Sequence, residues 1–275
     1  MIGDPVDHSI SPIIQNAAFR QMGIDAVYIA FLVKKHDLRL AVEGSLAMGI
    51  RGFNVTLPHK IQIMQYLGRL DKEALNIGSV NTVVNQNSAL KGFNTDGIGA
   101  LQAVRAERLR GTSVMLLGAG GAARAIAHAF APEVNRIRIV NRSISKARRL
   151  ERVLRQRYRC NVSSSSLNPK RIKDFVESAE LIVNASSMGM KGKHDPPIKR
   201  NWLHGHQTVF DIVYNPPITT LLRNARSAGA KTINGLEMLL NQGAASFELW
   251  TGRSAPIMEM RSALSRELMI GYANS

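Results

Sequence analysis

Apolar residues recur along this chain at two spacings. Short apolar runs bounded by polar or glycine residues occur at 27–33, 50–55, 113–117, 136–140, 181–183 and 209–212, the pattern of buried strands. Helical spacing appears at 37–48, 122–130, 143–158, 236–250 and 256–269, with Thr251-Gly252 separating the last two. Pro58 is expected to begin a further helical segment, since proline is tolerated in a first turn. Residues 81–84 and 89–93 read as two strands around a polar Gln86-Asn87 turn. After Pro217 a helix carries Leu221, Leu222 and Ala225 and ends near Gly229, and 231–233 reads as an edge strand. The serine run 163–166 reads as a loop. Strands alternating with helices predict an α/β fold, with a parallel sheet and right-handed crossovers from residue 113 onward.

The 275 residues, 45% of them hydrophobic, suffice for two domains with separate cores. No apolar run reaches the roughly 18 residues of a membrane span, and the first residues lack the basic-then-apolar pattern of a secretory signal. Cys160 is the single cysteine, which excludes an internal disulfide and fits a cytoplasmic protein. The formal charge of +16 first suggests nucleic acid, but residues 100–175 alone hold 17 Lys or Arg against 4 Asp or Glu. The excess therefore surrounds one glycine-rich turn, as a solvated basic face or as an attractor of a small polyanion. No zinc-finger, RNA-binding or homeodomain pattern accompanies it, so neither a nucleic-acid partner nor a membrane is expected. The histidines at 36, 128, 194, 204 and 206 form no metal-binding spacing, and no metal is expected.

That turn is Gly118-Ala119-Gly120-Gly121-Ala122-Ala123, running directly out of the strand at 113–117. Gly118 permits a sharp turn, Gly120 lets the backbone approach a pyrophosphate, and Gly121 and Ala122 open a helix whose free N–H groups bind anions. Ala123 stands at the third glycine position. The alternative is a tight structural turn, but the flanking strand–helix–strand context favours a dinucleotide. The next strand ends in Asn141-Arg142-Ser143 where an enzyme for unphosphorylated ribose places Asp or Glu. Arg142, with Lys146 one helical turn on, suits a 2′-phosphate, which favours NADP over NAD.

Several further segments are chemically dense: His8-Ser9-Ile10-Ser11-Pro12, Asn54-Val55-Thr56-Leu57-Pro58-His59-Lys60, Gly78-Ser79-Val80-Asn81-Thr82 and Asn94-Thr95-Asp96. They are followed by Asn184-Ala185-Ser186-Ser187-Met188, Asp211-Ile212-Val213-Tyr214-Asn215-Pro216, and the stretch from Gly235 through Gln242-Gly243 to Gly252. In this fixed order, and over nearly the whole chain, they resemble the shikimate dehydrogenase family. The resemblance implies a reversible, NADPH-dependent reduction of 3-dehydroshikimate to shikimate, on the route to chorismate and aromatic amino acids. It implies a catalytic pair, Lys60 and Asp96. Lys60 stabilises the developing oxygen charge and relays a proton, or acts as a purely electrostatic, positioning group. Substrate contacts are implied for Ser9, Ser11, Thr56, Lys60, Asn81, Asp96, Tyr214 and Gln242, the two serines holding the carboxylate. Helix capping beside Pro12 is the alternative for Ser11. Serine at both positions leans toward shikimate over quinate, and a quinate or dual-specificity enzyme is the nearest alternative. Asn54 ranks below Thr56, and His59 is left structural.

Cofactor contacts are expected from Gly118, Ala119, Gly120, Gly121, Ala122, Asn141, Arg142, Ser143, Lys146, Asn184, Ser186, Met188, Ile212 and Gly235. Met188 packs on the nicotinamide or serves as a core methionine, and Gly235 allows a close backbone approach. The implied architecture is a substrate domain at 1–98, a Rossmann-like NADP domain at 99–236, and helices at 237–275 returning to the first domain, with the site in the cleft between them. The protein is expected to be a monomer or homodimer. Relative to the family, Met1 lies close to the Ile2-Gly3 strand, so that strand is expected to be very short or the chain to start elsewhere. Ser79 replaces a common alanine. An NADP-linked methylene-folate dehydrogenase shares the broad layout, but Ser9, Ser11 and Tyr214-Asn215-Pro216 argue against it, and an intact Lys60–Asp96 pair argues against a nonenzymatic nucleotide sensor.

Overall fold

Strands and helices assemble into two α/β units in the computed structural model, which describes residues 1–7, 9–107 and 109–273, with side chains through residue 269. His8, part of the first motif, lies outside the described residues. Unit 1 comprises Met1–Gly99 and Leu239–Ser275, and unit 2 Ala100–Met238.

The chain begins with β1 (Ile2–Gly3), α1 (Ser11–Gln21), β2 (Phe31–Leu32), α2 (Leu38–Ala47), β3 (Gly52–Asn54), β4 (Arg69–Leu70), α3 (Lys72–Ile77), β5 (Thr82–Gln86), β6 (Ala89–Phe93) and α4 (Asp96–Ala103). β1 pairs in parallel with β2, and β3, β5, β6 and β4 form a mixed sheet in that order. A parallel bridge between Ile2 and Val55 links the two. Ile2, Val33, Leu38, Val42, Phe53, Val55, Ile63 and Val83 are among the core residues beneath them.

The sequence pattern overstates the strand at 27–33, of which Phe31–Leu32 alone pairs. The reason is a competing partner: both backbone polar groups of Tyr28 are taken by the Asn16 side chain, at 2.7 and 2.9 Å. Pro58 does not open an α-helix either. Thr56 O accepts from His59 N and Lys60 O accepts from Val80 N, so the segment turns and a short 3₁₀ helix follows at Gln62–Tyr66. That bond ties the Lys60 backbone to the segment between α3 and β5, 20 residues further along the chain.

Unit 2 contains β7 (Ser113–Leu117), α5 (Gly121–Phe130), β8 (Arg136–Val140), α6 (Ile144–Arg157), β9 (Asn161–Ser165), α7 (Pro169–Glu177), β10 (Leu181–Asn184), β11 (Thr208–Asp211), α8 (Thr220–Ser227) and β12 (Lys231–Ile233). All six strands are parallel, in the order β12-β11-β10-β7-β8-β9. The order reverses between β7 and β10, a Rossmann-like arrangement whose switch point lies at the strands' carboxyl ends. The serine run is not a loop: β9 pairs with β8 from Asn161 to Ser165. Pairing at a sheet edge outweighs serine's weak strand preference, and Val162 supplies the core contact. Cys160 belongs to the same core, where burial pushes its thiol up.

The chain ends with α9 (Gly235–Thr251) and α10 (Ile257–Ala273), separated at Gly252 in the left-handed region with φ +65°. α10 packs on α1, Phe247 of α9 lies 5.6 Å from Phe19, and Trp250 lies 5.8 Å from Tyr28. Helices α1, α3, α4 and α7 add to those the periodicity predicts.

Candidate active site

In unit 1, the turn after β3 carries Lys60, the segment before β5 carries Asn81, and α4 begins with Asp96. Lys60 Nζ donates to Asp96 Oδ2 at 2.6 Å, with side chains 16% and 4% exposed. The other carboxylate oxygen accepts from Asn81 Nδ2 at 3.0 Å, and Asn94 Oδ1 accepts from Asp96 N at 3.0 Å. Asp96 is therefore held from three sides. Lys60 has three N–H donors, and Asp96 takes one of them among the described contacts, which leaves donors for an incoming oxygen.

Asn81 is the junction of this cluster. Its Nδ2 also faces Thr95 Oγ1 at 2.9 Å and Gln242 Oε1 at 3.3 Å, while its Oδ1 accepts from Thr95 N at 2.8 Å and Thr82 Oγ1 at 3.0 Å. A further layer lies behind it. Asn54 Nδ2 donates to Thr82 Oγ1 and Ser246 Oγ, and the Tyr28 hydroxyl donates to Asn54 Oδ1 at 2.6 Å. Gln242 and Ser246 sit one turn apart on α9, so one helix face closes both layers. Thr82, Thr95 and Ser246 were not among the sequence-derived candidates. Buried hydroxyls next to a motif residue were the available signal, but nothing in the sequence says which ones converge.

The remaining unit 1 candidates are placed by other contacts. Ser9 Oγ accepts from Ser11 N at 3.3 Å and donates to the Met1 sulfur at 3.0 Å. Ser11 is buried and opens α1, whose cap position is Ile10 with no side-chain cap bond, so Ser11 does not cap the helix. Thr56 N donates to Ile2 O, and a Cβ on Gly3 would lie 2.2 Å from Thr56 Cγ2, so only glycine fits beside it. His59 is fully buried with Nε2 donating to Val33 O at 2.7 Å, a contact that anchors the Lys60 turn. Among the described hydrogen bonds, none joins the Ser9, Ser11 or Thr56 side chain to the Lys60–Asp96 cluster. Tyr214 lies in unit 2, half-buried after β11.

In unit 2, β7 runs into the glycine turn. Gly118 has φ +124°, and a Cβ there would lie 2.7 Å from Ala185 O, so both conformation and space demand glycine. A Cβ on Gly120 would meet nothing within 4 Å. The protein's own packing does not require that glycine, and the open cradle above it fits a dinucleotide pyrophosphate. Ala119 and Ala123 are buried, Gly121 and Ala122 form the first turn of α5, and that turn holds no acidic residue. After β8, Asn141 Nδ2 donates to Ser143 O at 2.9 Å. Ser143 stands at the cap position of α6, its hydroxyl 2.9 Å from that of Ser145. Arg142 and Lys146 are exposed and make no ion pair among the described residues.

Asn184 and Asp211 end β10 and β11, both fully buried. Asn184 Nδ2 donates to Asp211 Oδ1 and to Met188 O, each at 2.9 Å, and its Oδ1 accepts from the Ser186 hydroxyl at 2.7 Å. Met188 is half-buried and packs against the core cluster that includes Met115 and Leu117. A Cβ on Gly235 would lie 2.1 Å from Ile212 O, so the close approach this glycine permits is to the Ile212 backbone. Burial pushes the Asp211 carboxyl up to about 6, against the lowering effect of hydrogen bonds from Thr219, Val213 and Asn184 and with Asp195 raising it further.

Unit 2 holds 24 Lys or Arg against 9 Asp or Glu, a net +15, whereas unit 1 holds 12 against 11. Among the described residues no group of three or more His, Cys, Asp or Glu is arranged to hold a metal, and no helix is long and apolar enough to cross a membrane.

Family models match in three consecutive parts: the shikimate dehydrogenase substrate binding domain over residues 1–83, shikimate/quinate 5-dehydrogenase over 100–238, and the shikimate 5′-dehydrogenase C-terminal domain over 235–264. The NADP⁺-type shikimate dehydrogenase of Methanopyrus kandleri is 43% identical over 274 residues, covering 98% of this chain and 94% of that protein. A crystal structure of a shikimate dehydrogenase in complex with NADP⁺ is 40% identical, with a TM-score of 0.88 over 97% of this chain and 94% of that one. The Listeria monocytogenes shikimate 5-dehydrogenase, in complex with shikimate and NAD, is 34% identical, with a TM-score of 0.86 over 96% and 94%. With this extent of identity and the same two-part α/β architecture, the chain belongs to the shikimate dehydrogenase family of NADP-dependent oxidoreductases.

Proposed function

We propose that this protein reversibly reduces 3-dehydroshikimate to shikimate with NADPH. The carrying observation is the Lys60–Asp96 pair at 2.6 Å, fixed by Asn81 and retaining unspent ammonium donors. NADPH, when bound, supplies the hydride. As the substrate carbonyl oxygen becomes negative, a Lys60 N–H donates to it and delivers the proton that completes the alcohol; in the reverse direction Lys60 takes that proton back. Asp96 orients Lys60 and accepts from a substrate hydroxyl. Ser9 and Ser11 donate to the carboxylate, and Thr56, Gln242 and Tyr214 bind the ring hydroxyls. Asn81 has its donors spent on Thr95, Asp96 and Gln242, so we assign it first to holding Asp96, with a substrate contact requiring exchange of one of those partners.

The fit of unit 2 to the cofactor rests on the open position above Gly120 and the first turn of α5. Gly118 to Ala122 would hold the pyrophosphate. Arg142 and Lys146, unpaired among the described residues, would hold the 2′-phosphate, with Asn141 and Ser143 beside them. Asn184, Ser186, Met188, Ile212 and Gly235 would line the nicotinamide half. The test is a set of steady-state rates with shikimate and quinate, each with NADP⁺ and NAD⁺. Shikimate with NADP⁺ is expected to give the highest kcat/KM. Turnover of neither acid by folded protein, a preference for quinate, or a strong preference for NAD⁺ would overturn the reading.

A further inference from the structure

Asp211 is a fully buried carboxylate with no cation paired to it among the described residues. Three donors converge on it. Asn184 Nδ2 and Val213 N donate to Oδ1 at 2.9 and 3.1 Å, and the Thr219 hydroxyl donates to Oδ2 at 2.7 Å. Thr219, also fully buried, accepts from Leu222 N at 3.3 Å and so caps α8. Asn184 carries the network onward: its second N–H goes to Met188 O, and its Oδ1 collects both the N–H and the hydroxyl of Ser186, whose oxygen in turn accepts from Met188 N at 3.1 Å. One connected set of bonds therefore runs from α8 to the loop after β10. That loop starts against the glycine turn, where Ala185 O lies against Gly118 and Ala185 N donates to Leu117 O at 2.8 Å.

We propose that Asp211 is a positioning residue, an acceptor-only hub that with Asn184 and Thr219 fixes the loops at 185–190 and 212–219 in the shape that receives the nicotinamide half of the cofactor. This rests on the assignment of the cofactor to unit 2. The chemistry of the donors explains why the residue is an acid. An amide of the same shape would turn one oxygen into an NH₂. Facing Thr219, that NH₂ would displace the hydroxyl proton from its acceptor; facing the other way, it would meet Asn184 Nδ2 and Val213 N donor to donor. The carboxylate alone accepts all three bonds, and it does so in a site where burial opposes its charge. A fold needing only the space filled would place an apolar residue there at lower cost.

The test uses the full chain as Asp211→Asn, Thr219→Val and Thr219→Ser, with two readouts. Amide exchange in the cofactor-free protein reports Ser186, Met188, Val213 and Leu222, and NADPH fluorescence titration with steady-state kinetics reports the cofactor. In Asp211→Asn, exchange at Ser186, Met188 and Val213 is expected to accelerate, with NADPH affinity falling about tenfold, the size expected for losing one charged hydrogen bond. The KM for NADP⁺ should rise alongside, while the KM for shikimate at saturating cofactor stays within about twofold. Thr219→Val should act in the same direction, and Thr219→Ser, which restores the hydroxyl, should return both readouts to the parent values. If Asp211→Asn does not fold, the two Thr219 variants decide alone. Acceleration confined to Leu222 and the first turn of α8 would reduce Thr219 to a helix cap and overturn the hub. So would unchanged NADPH affinity in folded Asp211→Asn. A parent protein that binds no NADPH would instead overturn the cofactor assignment, while the exchange data still decide whether the loops depend on Asp211.

Discussion

Replacing Lys60 by alanine separates chemistry from binding. The substitution removes an ammonium 2.6 Å from a carboxylate that is 4% exposed. Losing one partner of a buried pair costs about 3–5 kcal/mol. The lower end applies here, because Asp96 keeps the Asn81 Nδ2 bond at 3.0 Å and its backbone N–H stays bound to Asn94. A loss of about 3 kcal/mol lowers Tm by roughly 6–12 °C in a chain of this size, so the variant remains folded at assay temperature if the parent melts near the usual mesophile range or above. The catalytic loss is expected to be larger than the stability loss is disruptive: kcat should fall about 10²–10⁴-fold, the range for removing a positioned proton donor or a donor to a developing oxyanion. Cofactor contacts are assigned to unit 2, so the Kd for NADPH should remain within about twofold. Steady-state kinetics at saturating NADP⁺ and shikimate, with NADPH titration and thermal melting on the same preparations, supply all three numbers. A kcat within a few fold of the parent would refute the role, as would a loss confined to NADPH affinity. The pH profile divides the two versions of the role. A proton-relaying lysine leaves the variant with a flattened profile for shikimate oxidation, whereas a purely electrostatic lysine lowers the profile without changing its shape.

Two further outcomes follow from unit 2. Arg142→Ala should weaken NADP⁺ far more than NAD⁺, by about 1.5–3 kcal/mol for a charge-assisted contact to the 2′-phosphate, measured as the ratio of the two Kd values; equal weakening would reject that contact. Asp211 makes folding pH-dependent in an unusual direction for an acid. Burial raises its folded pKa from 3.8 to about 6, so the folded chain holds this proton more tightly than the unfolded chain does. Its contribution is favourable below pH 4 and is lost as pH rises through 6, by at most about 3 kcal/mol. Urea melts of parent and Asp211→Asn from pH 4 to 7 should show the difference between them shifting in favour of the variant across that window, and a difference constant with pH would contradict it.

The sequence made unit 2 legible because its signals are local. The apolar runs at 113–117 and 136–140 coincide with β7 and β8, and the glycines at 118 and 120 mark the turn between β7 and α5. Gly118 is required by a positive φ and a neighbouring backbone, whereas Gly120 faces open space. The same letter in the sequence thus stands for two physical demands, and coordinates are needed to tell them apart. Unit 1 was less legible because its short elements depend on distant partners. Strand β2 shrinks to two residues since Asn16 takes the Tyr28 backbone. Unit 2 has one such case, β9, which forms from serines since β8 offers an edge. The catalytic candidates lie 36 residues apart, and the resemblance to a family identified them. What no local pattern contained was the support around them: Thr82, Thr95 and Ser246 behind Asn81, and Asp211 and Thr219 behind Asn184. Such residues carry no periodicity of their own, and their meaning comes from convergence across long sequence separations, such as the 161 residues between Asn81 and Gln242.

The distribution of charge matches the ligands proposed for each unit. NADP carries about four negative charges on its phosphates at neutral pH, while the proposed acid substrate carries one carboxylate. Unit 2 has a net charge of +15 and unit 1 of +1. A near-neutral unit can hold a single carboxylate with oriented hydroxyls such as those of Ser9 and Ser11, where hydrogen-bond geometry does the discriminating. A polyanion is different, because its attraction extends over a Debye length, about 8 Å at physiological salt, and sums over every cation within reach. Arg142 and Lys146 are the cations suited to direct contact, but α6 also carries Arg148, Arg149, Arg152 and Arg157 without an ion pair among the described residues. Arg155 and Arg157 in its last turn further complement the helix dipole. Fifteen net charges exceed what four phosphate charges neutralise. The proposed cofactor would match the sign and the location of the excess, and it would leave unit 2 strongly positive even when bound.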